Sequence, residues 1–167
     1  MNLDEYMSYD ATGLAELVAA KEVTAKELLA LARKRAQQVN GKINAIVIDV
    51  DKEADEQAAG ELTGPFAGVP FLIKDLHQEY KGYPTTAGSR ARRNLVATEN
   101  ALITDRFLDA GLVIFGKTNT PELGSKGITE STLWGPCRNP WDTSRTPGGS
   151  SGGSASAVAA GVVPAAG

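Results

Sequence analysis

Two short apolar runs constrain this chain more than any other feature: "VPFLI" at Val69–Ile73 and "LVIFG" at Leu112–Gly116. Neither alternates polar with apolar residues, so each reads as a strand buried on both faces. Between them, Asn100–Ala110 carries Leu102, Ile103, Phe107 and Leu108 at helical spacing, and Gly111 supplies a stop. Strand, helix and strand in that order predict an α/β domain with a largely buried sheet. At 167 residues the chain has room for one such domain with a real core.

The flanking segments fit that frame. The first 60 residues read as helical apart from one strand, with Leu14, Leu17 and Val18 on one face of Asp10–Ala20. Thr24–Asn40 is the clearest helix: Thr24 and Glu27 form a capping box, Leu28, Ala32, Ala36 and Val39 make a stripe, and Gly41 is the expected stop. "INAIVIDV" (Ile43–Val50) is β-branched and reads as a strand, and "DKEADEQAAG" as a short solvent-facing helix. A loop is expected over Gln78–Ala97, a short helix capped by Thr120–Pro121, and a second loop over Thr132–Gly149. Ser151–Ala160 reads as a helix with Gly161 just past its end. Neither an internal repeat nor a domain boundary interrupts residues 1–167.

Composition excludes several functions. The hydrophobic and charged fractions, 42% and 22%, are those of an ordinary globular protein. A net charge of −3 with both signs interspersed argues against a nucleic-acid partner. "RARRN" is the one basic cluster, and without interleaved aromatics it reads as a solvated loop. Cys137 is the sole cysteine and His77 the sole histidine, so a disulfide framework and a Cys- or His-rich metal site are excluded. "MNLDEYMSYD" lacks the apolar core of a secretory signal, and no run has membrane-spanning length. The expected location is the cytoplasm, with no membrane partner. The apolar end "AVAAGVVPAAG" has no polar tail, which suggests that the polypeptide continues beyond Gly167.

The stretch "TPGGSSGGSASAVAAG" (Thr146–Gly161) poses the main ambiguity. Sixteen of the 20 residues from Gly148 to Gly167 are Gly, Ser or Ala. Such a composition suits a flexible linker, but linkers seldom run into a helix-compatible apolar segment. "GSSGG" also matches the G-x-S-x-G nucleophile elbow, yet "NPWDTSRTP" before it is unfit for the strand that motif requires. "GLVIFGKT" (Gly111–Thr118) matches G-x-x-x-x-G-K-[ST], a phosphate loop. There the variable positions would have to be a loop, whereas Leu112–Phe115 read as the strand itself. Lys117 is accordingly expected to be an ordinary strand-end lysine.

Two chemical features survive. Lys74 ends the run "GVPFLIK"; burial would lower its pKa and make it a usable general base, while a snorkelling lysine is the bland alternative. Gly148–Gly153 lies at an expected helix N-terminus, where backbone N–H groups favour anions and serine hydroxyls can relay protons. An N-cap serine on a closely packed helix accounts for the same residues.

The segments "GVPFLIKD", "FLDAGLVIFGKTNTPELG" and "TESTLWGPCRNPWDTSRTPGGSSGGSASAVAAG", in that order, resemble the amidase signature family from about residue 10 to the last residue. The resemblance implies an α/β fold with a mixed β-sheet core covered by helices, of which this chain is the N-terminal part of one domain. It implies carboxamide hydrolysis or transfer by a Ser–cis-Ser–Lys triad through an acyl-enzyme, with no metal or organic cofactor. Lys74 matches the family's basic lysine, and Ser150 the bridging serine held by a cis peptide bond. Ser151, Gly149 and Gly152 match supporting positions. The family's acyl-forming serine lies further downstream, past Gly167, so the chain alone is expected to be inactive unless another chain supplies the remainder. "TPELG" resembles stand-alone amidases, including those acting on nylon oligomers. The alternative is the glutaminase component of the tRNA-dependent glutamine amidotransferases, working inside a multi-subunit complex. A small-molecule amide is the expected substrate; a complementary chain and a homo-oligomer are the partners left open. A purely structural role in a split assembly and nucleotide binding at Gly116 are the competing classes.

Overall fold

The computed structural model describes residues 1–167. Its centre is a three-stranded sheet built from β1 (Ile46–Asp49), β2 (Pro70–Lys74) and β3 (Val113–Thr118), in the order β1-β3-β2. β2 runs parallel to β3, from Pro70 opposite Val113 to Lys74 opposite Thr118, while β1 pairs antiparallel with β3. A parallel pair needs a long crossover, and the helix α5 (Leu102–Asp109) lies on it. β3 is buried at every position because it is the middle strand and helices pack against it. Phe71, Leu72, Ile73, Val113, Ile114 and Phe115 belong to the core, so both apolar runs are the buried strands that their lack of alternation predicts. The free edge of β2 is met by the last residues of the chain: Ala166 bridges Leu72 in parallel, and Gly167 N donates to Leu72 O at 2.9 Å.

Four further helices are α1 (Leu3–Ser8), α2 (Ala11–Ala19), α3 (Ala25–Ile43) and α4 (Asp51–Ala59). The Thr24–Glu27 capping box opens α3 as expected, and Leu28 and Ala32 are fully buried on its inner face. Gly41 does not end this helix. No atom lies within 4 Å of where a Cβ would sit on Gly41, so the helix runs through it in the open. The actual stop is Asn44, at φ 49°; Asn tolerates this left-handed conformation better than other side chains. Its Nδ2 donates to Trp134 O at 2.7 Å, fixing the turn. Ile43 therefore belongs to α3, and the strand begins at Ile46.

The expected apolar face of α5 is also only half right. Leu102 and Ile103 are 71% and 43% exposed, because the inward face of this short helix is made by the fully buried Thr104 with Phe107 and Leu108. There Phe107 packs on Phe71 with ring centroids 4.7 Å apart. Tyr6 of α1 donates its hydroxyl to Val162 O at 2.8 Å, tying the first helix to the last segment.

The final helix, α6 (Gly152–Ala159), follows the glycine-rich stretch. It approaches the end of β3 so closely that a Cβ on Gly153 would lie 2.6 Å from Asn119 O and 2.7 Å from Ala45 O. Both are backbone atoms that cannot swing aside. Gly153→Ala is expected to destabilise the fold by about 3 kcal/mol. Gly41→Ala, where the space is open, is expected to stabilise it by about 0.5–1 kcal/mol through helix propensity alone. Denaturant melts of the two variants check the contrast.

Candidate active site

The site is assembled where β2 ends. Residues through Ile73 are buried, and Lys74 emerges half-buried at the polar end of the strand. Its backbone N–H donates to Gln78 Oε1 at 2.6 Å, which fixes the exit from the strand. Its amine donates to Ser150 Oγ at 2.8 Å, across 76 residues of sequence. Burial pushes the Lys74 pKa below its ordinary value, since taking an ammonium out of water disfavours the charged form. Lys74 is thus not the snorkelling lysine of the bland reading: its amine contacts a hydroxyl and is partly desolvated.

The loop that presents Ser150 is held by backbone contacts. Gly148 takes φ +89°, and the peptide bond between Gly149 and Ser150 is cis. Thr129 clamps both sides: its hydroxyl donates to Gly148 O at 2.8 Å and accepts from Gly152 N at 3.1 Å. Thr120 Oγ1 donates to Ser150 O at 3.0 Å. Gly149 lies against the backbone of the 126–128 segment, where a Cβ would stand 3.0–3.1 Å from Lys126 O and the neighbouring carbonyl carbons. A Cβ on Gly152 would collide with the Thr129 side chain. The glycine-rich stretch is therefore a folded loop, not a tether, and its small residues are what allow this packing. Ser151 is placed differently: it is exposed, and its hydroxyl makes no hydrogen bond. The nucleophile-elbow reading fails as expected, because no strand runs directly into the loop: the nearest one before it ends at Pro136.

The expectation for Lys117 is wrong. It is not a solvated strand-end lysine but one of the largest fully buried side chains, at 0% exposure, and Asp75 beside it is also at 0%. Lys117 Nζ donates to Pro84 O at 2.8 Å and to Thr85 Oγ1 at 2.5 Å, and stands 3.8 Å from Asp75 Oδ1. Asp75 accepts from Thr86 N at 2.8 Å, from the Thr86 hydroxyl, and from Trp134 Nε1 at 3.3 Å. Burial pushes the Lys117 amine down to about 8, with the attraction of Asp75 opposing the shift. Losing one member of such a pair costs about 3–5 kcal/mol, because a buried charge is left alone.

Asp75, Lys117, Thr120 and Thr129 are the residues that motif reading missed. A signal for the ion pair was available. A strand without polar alternation has no solvent face for Lys117, so its charge requires a buried partner. Asp75, just past the strand that pairs with β3, is the acidic residue at hand. The two threonines carry no such signal.

"RARRN" forms a short 3-10 turn at Arg90–Arg92 and is largely exposed. No cluster of three His, Cys, Asp or Glu residues is arranged to hold a metal ion, and no helix is long and apolar enough to cross a membrane.

Known proteins resemble this chain in sequence and in backbone fold. The chain is 44% identical over 160 residues to a 6-aminohexanoate-cyclic-dimer hydrolase of Paenarthrobacter ureafaciens, an alignment that covers 94% of the chain and 32% of the relative. It is 43% identical to a glutamyl-tRNA(Gln) amidotransferase subunit of Acidothermus cellulolyticus, over 90% of the chain and 31% of the relative. The chain thus spans about a third of the length of the curated relatives it matches. A solved 6-aminohexanoate cyclic dimer hydrolase superposes with a TM-score of 0.91 at 42% identity, covering 96% of the chain and 33% of that structure. The profile of the Amidase family matches residues 27–167, a span that includes β2 with Lys74, the central strand β3 and the whole Ser150 loop. With most of its length matched in sequence and nearly all of it in backbone, the chain belongs to the amidase signature family.

Proposed function

We propose that this chain is the N-terminal part of a single amidase-signature domain, supplying the lysine base and bridging serine of an enzyme that cleaves carboxamide C–N bonds. The observation that carries this reading is the 2.8 Å contact between Ser150 Oγ and the partly desolvated Lys74 amine. A lysine held below its ordinary pKa gives up its proton more readily than an exposed one, and a serine hydroxyl can accept and donate at once. In the proposed reaction a nucleophilic serine attacks the amide carbonyl while its proton passes to Ser150 Oγ, whose own proton passes to Lys74. The protons return along the same path to the departing amine as the C–N bond breaks. Water then repeats the attack on the acyl-enzyme and releases the acid.

The nucleophile itself is proposed to lie outside Met1–Gly167, in sequence following Gly167 or on a complementary chain. Support comes from two serines of α6. Ser154 is buried, with its hydroxyl bonded to Thr118 and to Gly167 O, and Ser156 is tied to Arg138 O. The path of the chain agrees: Ala166 pairs in parallel with Leu72, so a segment following Gly167 would run toward Lys74.

The test is amide hydrolysis by the full-length protein in the presence of hydroxylamine. An acyl-enzyme predicts hydroxamate at the expense of acid; acid alone would mean direct attack by water. Because Lys74 must be unprotonated to accept, the acylation rate should rise with pH through the Lys74 pKa. That rise should fall below the pH expected for an ordinary lysine.

A glutamine-dependent transferase within a multi-subunit complex is the second reading, favoured by the 43% identity to the amidotransferase relative. Ammonia release specific to glutamine, together with stable co-purification of partner subunits, distinguishes it from hydrolysis of other small amides.

A further inference from the structure

The Lys117–Asp75 pair lies behind the lysine–serine contact without touching either side chain in it. Three groups of hydrogen bonds lead from the pair to the two partners. Asp75 directly follows Lys74, and its N–H donates to Thr118 O at 3.1 Å, holding the end of β2 to β3. Lys117 Nζ binds Pro84 O and Thr85 Oγ1, while the Asp75 carboxylate binds Thr86, so both charges grip the segment Pro84–Thr86. From there Asp75 O accepts from Ala87 N at 2.8 Å, and Ala87 O accepts from Leu123 N at 2.7 Å. Gly124, next to Leu123, faces Ser150: a Cβ placed on it would come into van der Waals range of Ser150 Cβ and Oγ, at 3.8 Å from each.

Two residues on this route sit in the left-handed region without being glycine, Ala87 at φ 51° and Leu123 at φ 55°. Such a conformation persists only where the surroundings enforce it. Here each is held by backbone hydrogen bonds that lead back to Asp75. Indole Nε1 of Trp134 closes the cluster by donating to Thr86 Oγ1 at 3.0 Å as well as to Asp75.

We infer that Asp75 and Lys117 are positioning residues: their buried pair sets the distance between the Lys74 amine and Ser150 Oγ by fixing the β2 exit and the Ala87–Gly124 support together. This rests on the proposed proton relay, and a pair that acts on Lys74 only as nearby charge would be the alternative. The two differ in sign. Asp75→Asn keeps the shape and a hydrogen-bond acceptor but removes the negative charge. If the pair acted only as nearby charge, the now unbalanced Lys117 would push the Lys74 titration lower. If it positions Lys74, the amine loosens from Ser150 into water and its titration moves up toward that of an exposed lysine.

The experiment follows the Lys74 Cε resonance against pH in lysine-labelled full-length protein, with kcat and KM measured on one amide substrate. Asp75→Asn should move the Lys74 midpoint upward and lower kcat about 100-fold, with KM within about threefold. An unchanged or lowered midpoint, or an unchanged kcat, overturns the inference. If Asp75→Asn does not fold, the neutral double variant Asp75→Asn/Lys117→Met is read by the same criteria. Lys74→Met separates the two levels. Full activity in that variant would sink the relay itself, whereas its inactivity beside an unperturbed Asp75→Asn would sink only the positioning role.

Discussion

Replacing Lys74 by methionine is expected to lower amide hydrolysis by the full-length protein about 10⁴-fold while leaving its thermal stability unchanged or slightly raised. The size follows from the role. Without the amine, the nucleophile's proton has no acceptor, and positioned general-base catalysis contributes about 10²–10⁴-fold. The stability follows from the surroundings. The Lys74 amine has Ser150 Oγ as its one side-chain partner, and burial already disfavours its charge. Methionine keeps the length and apolar stem and removes the group that is costly to desolvate. A loss of activity accompanied by unfolding would point instead to a structural lysine. Rate measurements and thermal melts on the same preparation distinguish the two.

Ser150→Ala should have an effect of the same order, about 10³-fold or more, and the double variant with Lys74→Met should be no worse than the poorer single one. Two residues that pass one proton act as a unit, so their losses do not add. If the serine merely capped α6 or filled space, the two losses would multiply. Ser151→Ala provides the internal control. Its hydroxyl is exposed and unbonded, so its loss should fall at least about tenfold short of that at Ser150. Single-turnover acylation rates on the four variants decide the matter.

How far the sequence carried the reading differs between elements for physical reasons. The buried strands were legible because a run such as "VPFLI" has no polar position to turn toward water. The start of α3 was legible because a capping box is a local bond between residues three apart. Its end was not: glycine is the usual stop, but nothing in Gly41 itself reveals that Asn44 is held by Trp134, 90 residues away. The outward turn of Leu102 and Ile103 likewise depends on how a short helix sits on the sheet, which spacing along the helix does not specify. At the site, residues and chemistry pointed to Lys74 and to the serine–glycine loop without joining them. Only the resemblance paired them, because the contact spans 76 residues and depends on how β2 and α6 meet. The burial of Lys117 is not visible in its motif, which specifies a residue type and a spacing but not that a charge on the central strand has no route to solvent.

When the enzyme is ready to react, the Lys74 amine is expected to be neutral and bonded to the Ser150 hydroxyl. Titration of the Lys74 Cε resonance in lysine-labelled full-length protein tests it without substrate. A midpoint clearly below that of a solvent-exposed lysine is expected, moving upward in Ser150→Ala as the amine is released into water. A midpoint coincident with that of an exposed lysine, and indifferent to Ser150→Ala, would contradict it.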